Sequence, residues 1–435
     1  MPRSSEGTVQ TRERWKATVA ASLANYLDSG SIVAGSIGLA LWSSAFHMSD
    51  TEVGLLGAIS SNAISAAVGA FIGGIICDKY GRKKIYMYDL LVYILGILIL
   101  MFTVNTPMLY VGYIITGLAV GADIPASWTL IAERAPAKAR GRHSGVAQIF
   151  WSLGPVFTLL LSLAVAPLGM LGVRIVFLHL AVAAFLTWLL RRTMNESEIW
   201  AKEKKKIASG AVQKHQLSMV NIFRGTNLKA FIFLTLMYGI QNLVAGSTGF
   251  FFLYLLQTFG STSHAMSILV QCLGFAVTIV GTTFIFMTLV DKKNRRVMLA
   301  ISGLLQSIAI LFMVVFELNF TVALAYIILF SIGGGFGHQA FFQLWSTELF
   351  PTRFRATAQG MMFSVVRFIL GFWSFFVPVI STRLGFQNLA IFLTVFLVVS
   401  TIIGVIGAPK TRGKKLEEIE QERRTVLMTD RDIDY

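Results

Sequence analysis

The chain has 435 residues, 55% of them hydrophobic and only 14% charged, with a mean hydropathy of +0.68. That composition excludes a water-soluble globular protein of this length and points to lipid. The formal charge of +15 raises the question of nucleic acid, which the placement of the basic residues answers.

Apolar runs long enough to cross a hydrocarbon core recur from Trp15 almost to Pro409. In chain order they predict an all-α integral membrane protein with twelve transmembrane helices, over 15–42, 53–77, 85–104, 107–132, 144–167, 171–190, 229–258, 266–290, 297–316, 320–349, 357–380 and 386–408. The runs are too long and too uniformly apolar for the alternating strands of a membrane β-barrel. The first run is longer than a signal-peptide core and reads as an uncleaved helix. A charged segment parts the helices six and six. The expected organisation is a tail over 1–14, a six-helix half over 15–191, a linker over 192–228, a second half over 229–408 and a tail over 409–435.

All but three of the 37 Lys and Arg lie on one side of the spans, in the termini and every second loop; the exceptions are Arg174, Arg383 and Arg367, the last inside a span. This positive-inside pattern predicts cytoplasmic termini and a cell (plasma or inner) membrane location, with the bilayer itself as a partner. A nucleic-acid surface would not be distributed over alternate loops. Cys77 and Cys272 sit near the ends of spans two and eight and predict no disulfide.

The two halves repeat each other. Asp78-Lys-Tyr-Gly-Arg-Lys-Lys after the second span returns as Asp291-Lys-Lys-Asn-Arg-Arg after the eighth, 213 residues on. Glu133-x-x-Pro136-x-x-x-Arg140 returns as Glu348-x-x-Pro351-x-x-x-Arg355, 215 residues on. Such duplication places a substrate site between two halves that rock about it. Gly74, Asp78, Gly81, Arg82, Glu133, Arg140, Asp291, Arg295, Glu348 and Arg355 are therefore expected to form the gate. Gly81 and Asn294 are expected to supply a left-handed turn, and the charged pairs to bridge the halves in one access state.

These loops resemble the signature motifs of the major facilitator superfamily along essentially the whole chain. Glu133 to Gly141, Gln148, Glu196-Ser197-x-x-Trp200 and Pro409-Lys-Thr-Arg-Gly413 are similar to its sugar-porter branch, and Gly121-Ala-Asp123-Ile-Pro125 to a variant found in proton-coupled phosphate transporters. The resemblance implies a secondary, proton-coupled transporter taking up a small polar metabolite (a sugar, polyol or small organic or sugar acid) by alternating access. An inorganic or aromatic anion is the alternative substrate, and a non-transporting nutrient sensor a further one.

Ionisable groups deep in a membrane helix mark functional sites. Asp28, in Asn25-Tyr-Leu-Asp28-Ser29, is the expected proton carrier, and the resemblance agrees, because the family's proton-handling Asp occupies this part of the first helix. Asp123, whose equivalent in the second half is His338, is the second expected coupling residue. Arg367 needs a partner, which is Asp28, Asp123 or a substrate anion, and a basic residue in this region of phosphate-transporter variants favours an acidic substrate. Gln148, Gln241, Asn242, His338, Gln339 and Gln343, with Trp345 and Trp373 nearby, are expected to contact substrate; Gln148 matches a glutamine that contacts sugar in sugar porters. Tyr113 stands where sugar porters have the arginine partner of their Asp, so that circuit does not carry over. No phosphate-cradling loop, metal-ligand cluster or catalytic constellation occurs, which predicts no cofactor, no metal and no enzyme activity; small-x-x-x-small pairs such as Gly69 and Gly73 read as helix packing rather than a dimer interface, and the expected functional unit is a monomer.

Overall fold

The computed structural model describes residues 3–60, 63–212, 218–259, 263–374 and 376–432. The first half comprises α1 (Arg3–Ala45), α2 (Asp50–Ile59) with α3 (Ile64–Tyr80), α4 (Arg82–Met101), α5 (Thr106–Arg134), α6 (Arg140–Val165) and α7 (Met170–Arg192). A short basic helix, α8 (Glu198–Ala208), lies in the linker. The second half comprises α9 (Gly225–Phe259), α10 (His264–Gly281) running through a π-helical turn into α11 (Met287–Leu289), α12 (Arg295–Val315), α13 (Phe320–Gly335) with α14 (His338–Glu348), α15 (Arg355–Ser374) with α16 (Phe376–Arg383), and α17 (Phe386–Gly407). The tail forms α18 (Leu416–Asp432).

These segments make the twelve expected crossings, and they differ from the sequence expectation in detail. α1 begins at Arg3, α7 reaches Arg192 and α9 starts at Gly225, so the helices run further into the linker and the first tail than hydropathy suggests. The second, tenth and eleventh crossings are each two helices. In the tenth, Gly333-Gly-Gly-Phe-Gly337 ends α13 at Phe336, and the Ser302 hydroxyl of α12 donates to the Gly333 carbonyl at 2.8 Å. A carbonyl at a helix end in lipid needs such a donor. Among the described residues, ten of these crossings are long and apolar enough to span a membrane by length and composition alone. The other two are α1, which carries Asn25 and Asp28, and α15 with α16, which carries Gln359 and Arg367.

Within the first half α1 packs on α5, α6 and α7, and α5 on α3 and α4; within the second, α12 packs on α13 and α17, and α9 on α17. The most extensive packing between the halves is α3 against α15 and α6 against α10. The repeat relates one pair to the other. The first needs small residues, since a Cβ on Gly74 would come within 2.5 Å of the Ala356 carbonyl oxygen, and one on Gly360 would strike that of Ala70. Large apolar side chains such as Leu95, Phe284, Val315 and Ile406 are exposed on the outside, where lipid covers them.

Candidate functional site

At the face that carries the basic loops the halves are sealed by a doubled set of charges. On one side Glu133 Oε1 of α5 receives both Arg82 of its own half and Arg355 of the other, each at 2.8 Å. On the other, Glu348 of α14 receives Arg295 of its own half at 2.8 Å and Arg140 of the first half at 3.1 Å. All six of these side chains are buried. The two aspartates act as caps for the opposite half. Asp78 accepts from the backbone N–H of Thr357 at the start of α15 at 2.7 Å, and Asp291 from those of Gly141 and Arg142 at the start of α6 at 3.1 and 2.9 Å. A carboxylate at a helix N-terminus satisfies free N–H groups and opposes the helix dipole. Each aspartate also pairs with the arginine four residues on, Arg82 or Arg295.

Gly81 has φ +102 and joins α3 to α4; a Cβ there would strike Glu196, which accepts from the N–H groups of Arg82 and Lys83 and so caps α4. Its counterpart departs from expectation. Asn294 has φ −71, and instead of a left-handed turn it caps α12 through its side chain, which accepts from Arg296 N–H at 3.0 Å.

One step inward along α6 and α15 lies a layer of uncharged hydrogen bonds. Gln148 donates to Gln343 at 2.7 Å, and Thr129 donates to Gln359 at 3.3 Å, both between halves. Gln148 and Gln343, expected to meet a substrate, thus meet each other.

Further along the same helices a cavity of about 60 Å³ opens between the halves, lined by Ser29, Trp151 and Pro155 of the first half and Tyr238, Asn242, Gln339 and Arg367 of the second. Pro155 has no N–H to give to the Trp151 carbonyl, so α6 is locally loosened where it borders this space. Arg367 Nη2 is 4.0 Å from Asp28 Oδ2 of α1, and its guanidinium stacks on Phe363 at 4.6 Å. Trp151 reaches the Asp28 carboxylate as a hydrogen-bond donor, while Asp28 Oδ1 is buried with no hydrogen-bond partner among the described residues. The Asn242 carbonyl oxygen is likewise buried and unpartnered. Buried acceptors and donors around an apolar cavity are what a hydroxyl-bearing ligand requires.

The other expected residues lie elsewhere. Asp123 faces into its own half, where Arg191 grips both carboxylate oxygens at 2.9 and 2.7 Å. His338 turns toward α17, with Nε2 3.3 Å from the Thr401 hydroxyl. The carboxylate and imidazole that the repeat places in equivalent positions therefore do not confront each other across the interface. Gln241 is buried on α9 beside Asn242 but does not border the cavity. Trp345 stacks on Phe341 within the second half, and the Trp373 indole donates to Ser247. Sequence reasoning missed Trp151 and Tyr238 as cavity residues, and Arg191 as a buried group.

Residues 18–375 match the family described as Major Facilitator Superfamily. The chain belongs to that superfamily. As a major facilitator it is a transporter and not an enzyme, and a multi-pass membrane protein. It is 47% identical over 413 residues to the minor myo-inositol transporter IolF of Bacillus subtilis, covering 94% of this chain and 93% of that one. It is 27% identical to the glucose transporter GlcP of Staphylococcus epidermidis, over 84% and 88% of the two chains. Among solved structures, the proton:xylose symporter XylE bound to 6-bromo-6-deoxy-D-glucose superposes with a TM-score of 0.80 at 18% identity, over 95% of this chain and 99% of that one. This likeness establishes the major facilitator fold.

Proposed function

We propose that this major facilitator carries a neutral polyol of the inositol class into the cell together with a proton, as a monomer in the cell membrane with both termini in the cytoplasm. The observation that carries the reading is the pairing of Arg367 with Asp28 at the cavity between the halves. A guanidinium in the membrane needs a counter-charge, and here an aspartate of the opposite half supplies it, so the substrate need not. The acidic substrate that Arg367 alone favours loses its reason. The likeness to IolF and GlcP supports the same class.

The basic loops favour the cytoplasm for the sealed face, and the cavity then opens from the other side in the alternate access cycle. A proton taken up by Asp28 removes the charge that holds Arg367 and weakens a tie between the halves. Substrate hydroxyls occupy the acceptors that Asn242 and Asp28 leave open, the halves close over them, and the cytoplasmic charges part to release both.

The test is uptake of labelled myo-inositol by proteoliposomes under an imposed pH gradient, with neutral sugars and sugar acids as competitors. Asp28→Asn is expected to abolish gradient-driven accumulation while sparing counterflow exchange. Undiminished accumulation by that variant overturns the proton role of Asp28, and stronger competition by acids than by neutral polyols overturns the substrate class.

A further inference from the structure

Inside the first half, away from the substrate cavity, two carboxylates face one cation. Asp123 of α5 is gripped by Arg191 of α7, and Asp89 of α4 lies beside it with Oδ2 3.9 Å from the same guanidinium nitrogen. All three side chains are buried. Arg191 is otherwise saturated: its remaining N–H groups donate to the carbonyls of Ala20 and Ala21 on α1 and to the Ser127 hydroxyl, and its plane covers the Tyr86 ring at 4.6 Å. The ionisable groups around the pair are Arg191 and Tyr86, with Tyr93 at the next turn of α4 and Asp28 beyond it on α1. α3 contributes Cys77, next to Tyr86.

Two ionised carboxylates against one guanidinium would leave a net negative charge in an apolar bundle, and like carboxylates that share a site hold one proton between them. One atom marks where the proton sits. Asp89 Oδ1 accepts the Leu90 backbone N–H at 2.6 Å, but Oδ2 is buried and has no donor to accept from among the described residues, although it faces the same Arg191 Nη1 that Asp123 Oδ2 holds at 2.7 Å. An acceptor-only oxygen has no use there, whereas a hydroxyl would donate to Asp123. A cavity of about 10 Å³, the size of one water molecule, adjoins the pair and is bordered by Ala24, Leu27 and Tyr93.

We propose that Asp89 is a neutral carboxylic acid donating its proton in a hydrogen bond to the Asp123 carboxylate, so that the two together with Arg191 form an uncharged proton-holding site within the first half, separate from the substrate cavity. Asp123 enters proton chemistry through Asp89, not by facing His338. The site exists whether or not transport is coupled to protons, and its test does not depend on transport.

The experiment is infrared spectroscopy of the purified full chain at neutral pH, reading the C=O stretch of protonated carboxyl groups, in an Asp28→Asn background that removes the carboxylate paired with Arg367. The background protein is expected to show such a band and the added Asp89→Asn to remove it. Asp123→Asn in the same background removes it too, because Asp89 then remains as the sole carboxylate partner of Arg191 and ionises. With Asp28 intact, Asp89→Asn, which reproduces the shape and donor of the acid, leaves counterflow within twofold of the parent. No band in the background protein, or a band that survives both substitutions, overturns the proposal.

Discussion

Glu133→Gln is the most direct perturbation of the gate. In the sealed state the Glu133 carboxylate is the shared partner of Arg82 and Arg355, both fully enclosed. Removing one partner of a buried ion pair is worth about 3 kcal/mol at the low end, the end suited to an isosteric amide that can still accept one hydrogen bond. When the face opens, the same guanidinium of Arg355 reaches water, so the loss falls on the sealed state. A shift of about 3 kcal/mol moves the equilibrium between the access states on the order of 100-fold toward the open face. The chain carries its own reporter, since Cys77 on α3 is buried directly beneath the seal and its carbonyl accepts from Arg82 at 3.3 Å. In a Cys272→Ser background, a membrane-impermeant maleimide applied from the basic face is expected to label Cys77 slowly in the parent and on the order of 100-fold faster in Glu133→Gln, in proportion to the open population. Equal labelling rates would refute the reasoning that these charges hold the face shut.

Gly360→Val places a branched side chain where even a Cβ strikes the Ala70 carbonyl, so α3 and α15 cannot approach and the sealed state is lost; uptake is expected to fall more than tenfold while membrane insertion, followed by yield and thermal stability, is kept. Gln148→Ala removes one inter-half hydrogen bond, worth about 1 kcal/mol, so KM for the substrate should change by a few-fold, and Gln148→Ala with Gln343→Ala should be no worse than either alone. A tenfold or greater rise in KM for the Gln148 variant only would instead place that side chain on the substrate.

The features legible in the sequence are those that depend on position along the chain. Apolar run length gave the crossings, alternate basic loops gave the common face, and the 213- and 215-residue offsets named eight charged residues that meet there: Glu133 with Arg355 and Arg140 with Glu348 bridge the halves, Asp78 and Asp291 cap helices of the opposite half, and Arg82 and Arg295 pair with carboxylates of their own half. What the sequence does not carry is helix rotation. A helix that is apolar nearly all round has no periodicity to say which way a lone polar residue points. Asp123 and His338 could therefore be matched by offset, yet each turns into its own half. Arg191 lies at the end of α7 and reads as a loop residue by hydropathy, although its side chain folds back to Asp123. Asn294 shows the same limit at a turn: residue type allows a left-handed backbone, but the side chain's bond to Arg296 N–H selects an extended one.

The reciprocal capping at the gate has the geometry of a symmetric dimer. Asp78 completes a helix of the second half as Asp291 completes one of the first, and Glu133 meets Arg355 as Glu348 meets Arg140. An interface in which residue i meets j and j meets i is isologous, so one set of these residues, used twice, closes both latches. The same self-complementarity means that the two halves, produced as separate polypeptides, carry in their own sequences the contacts that set their register.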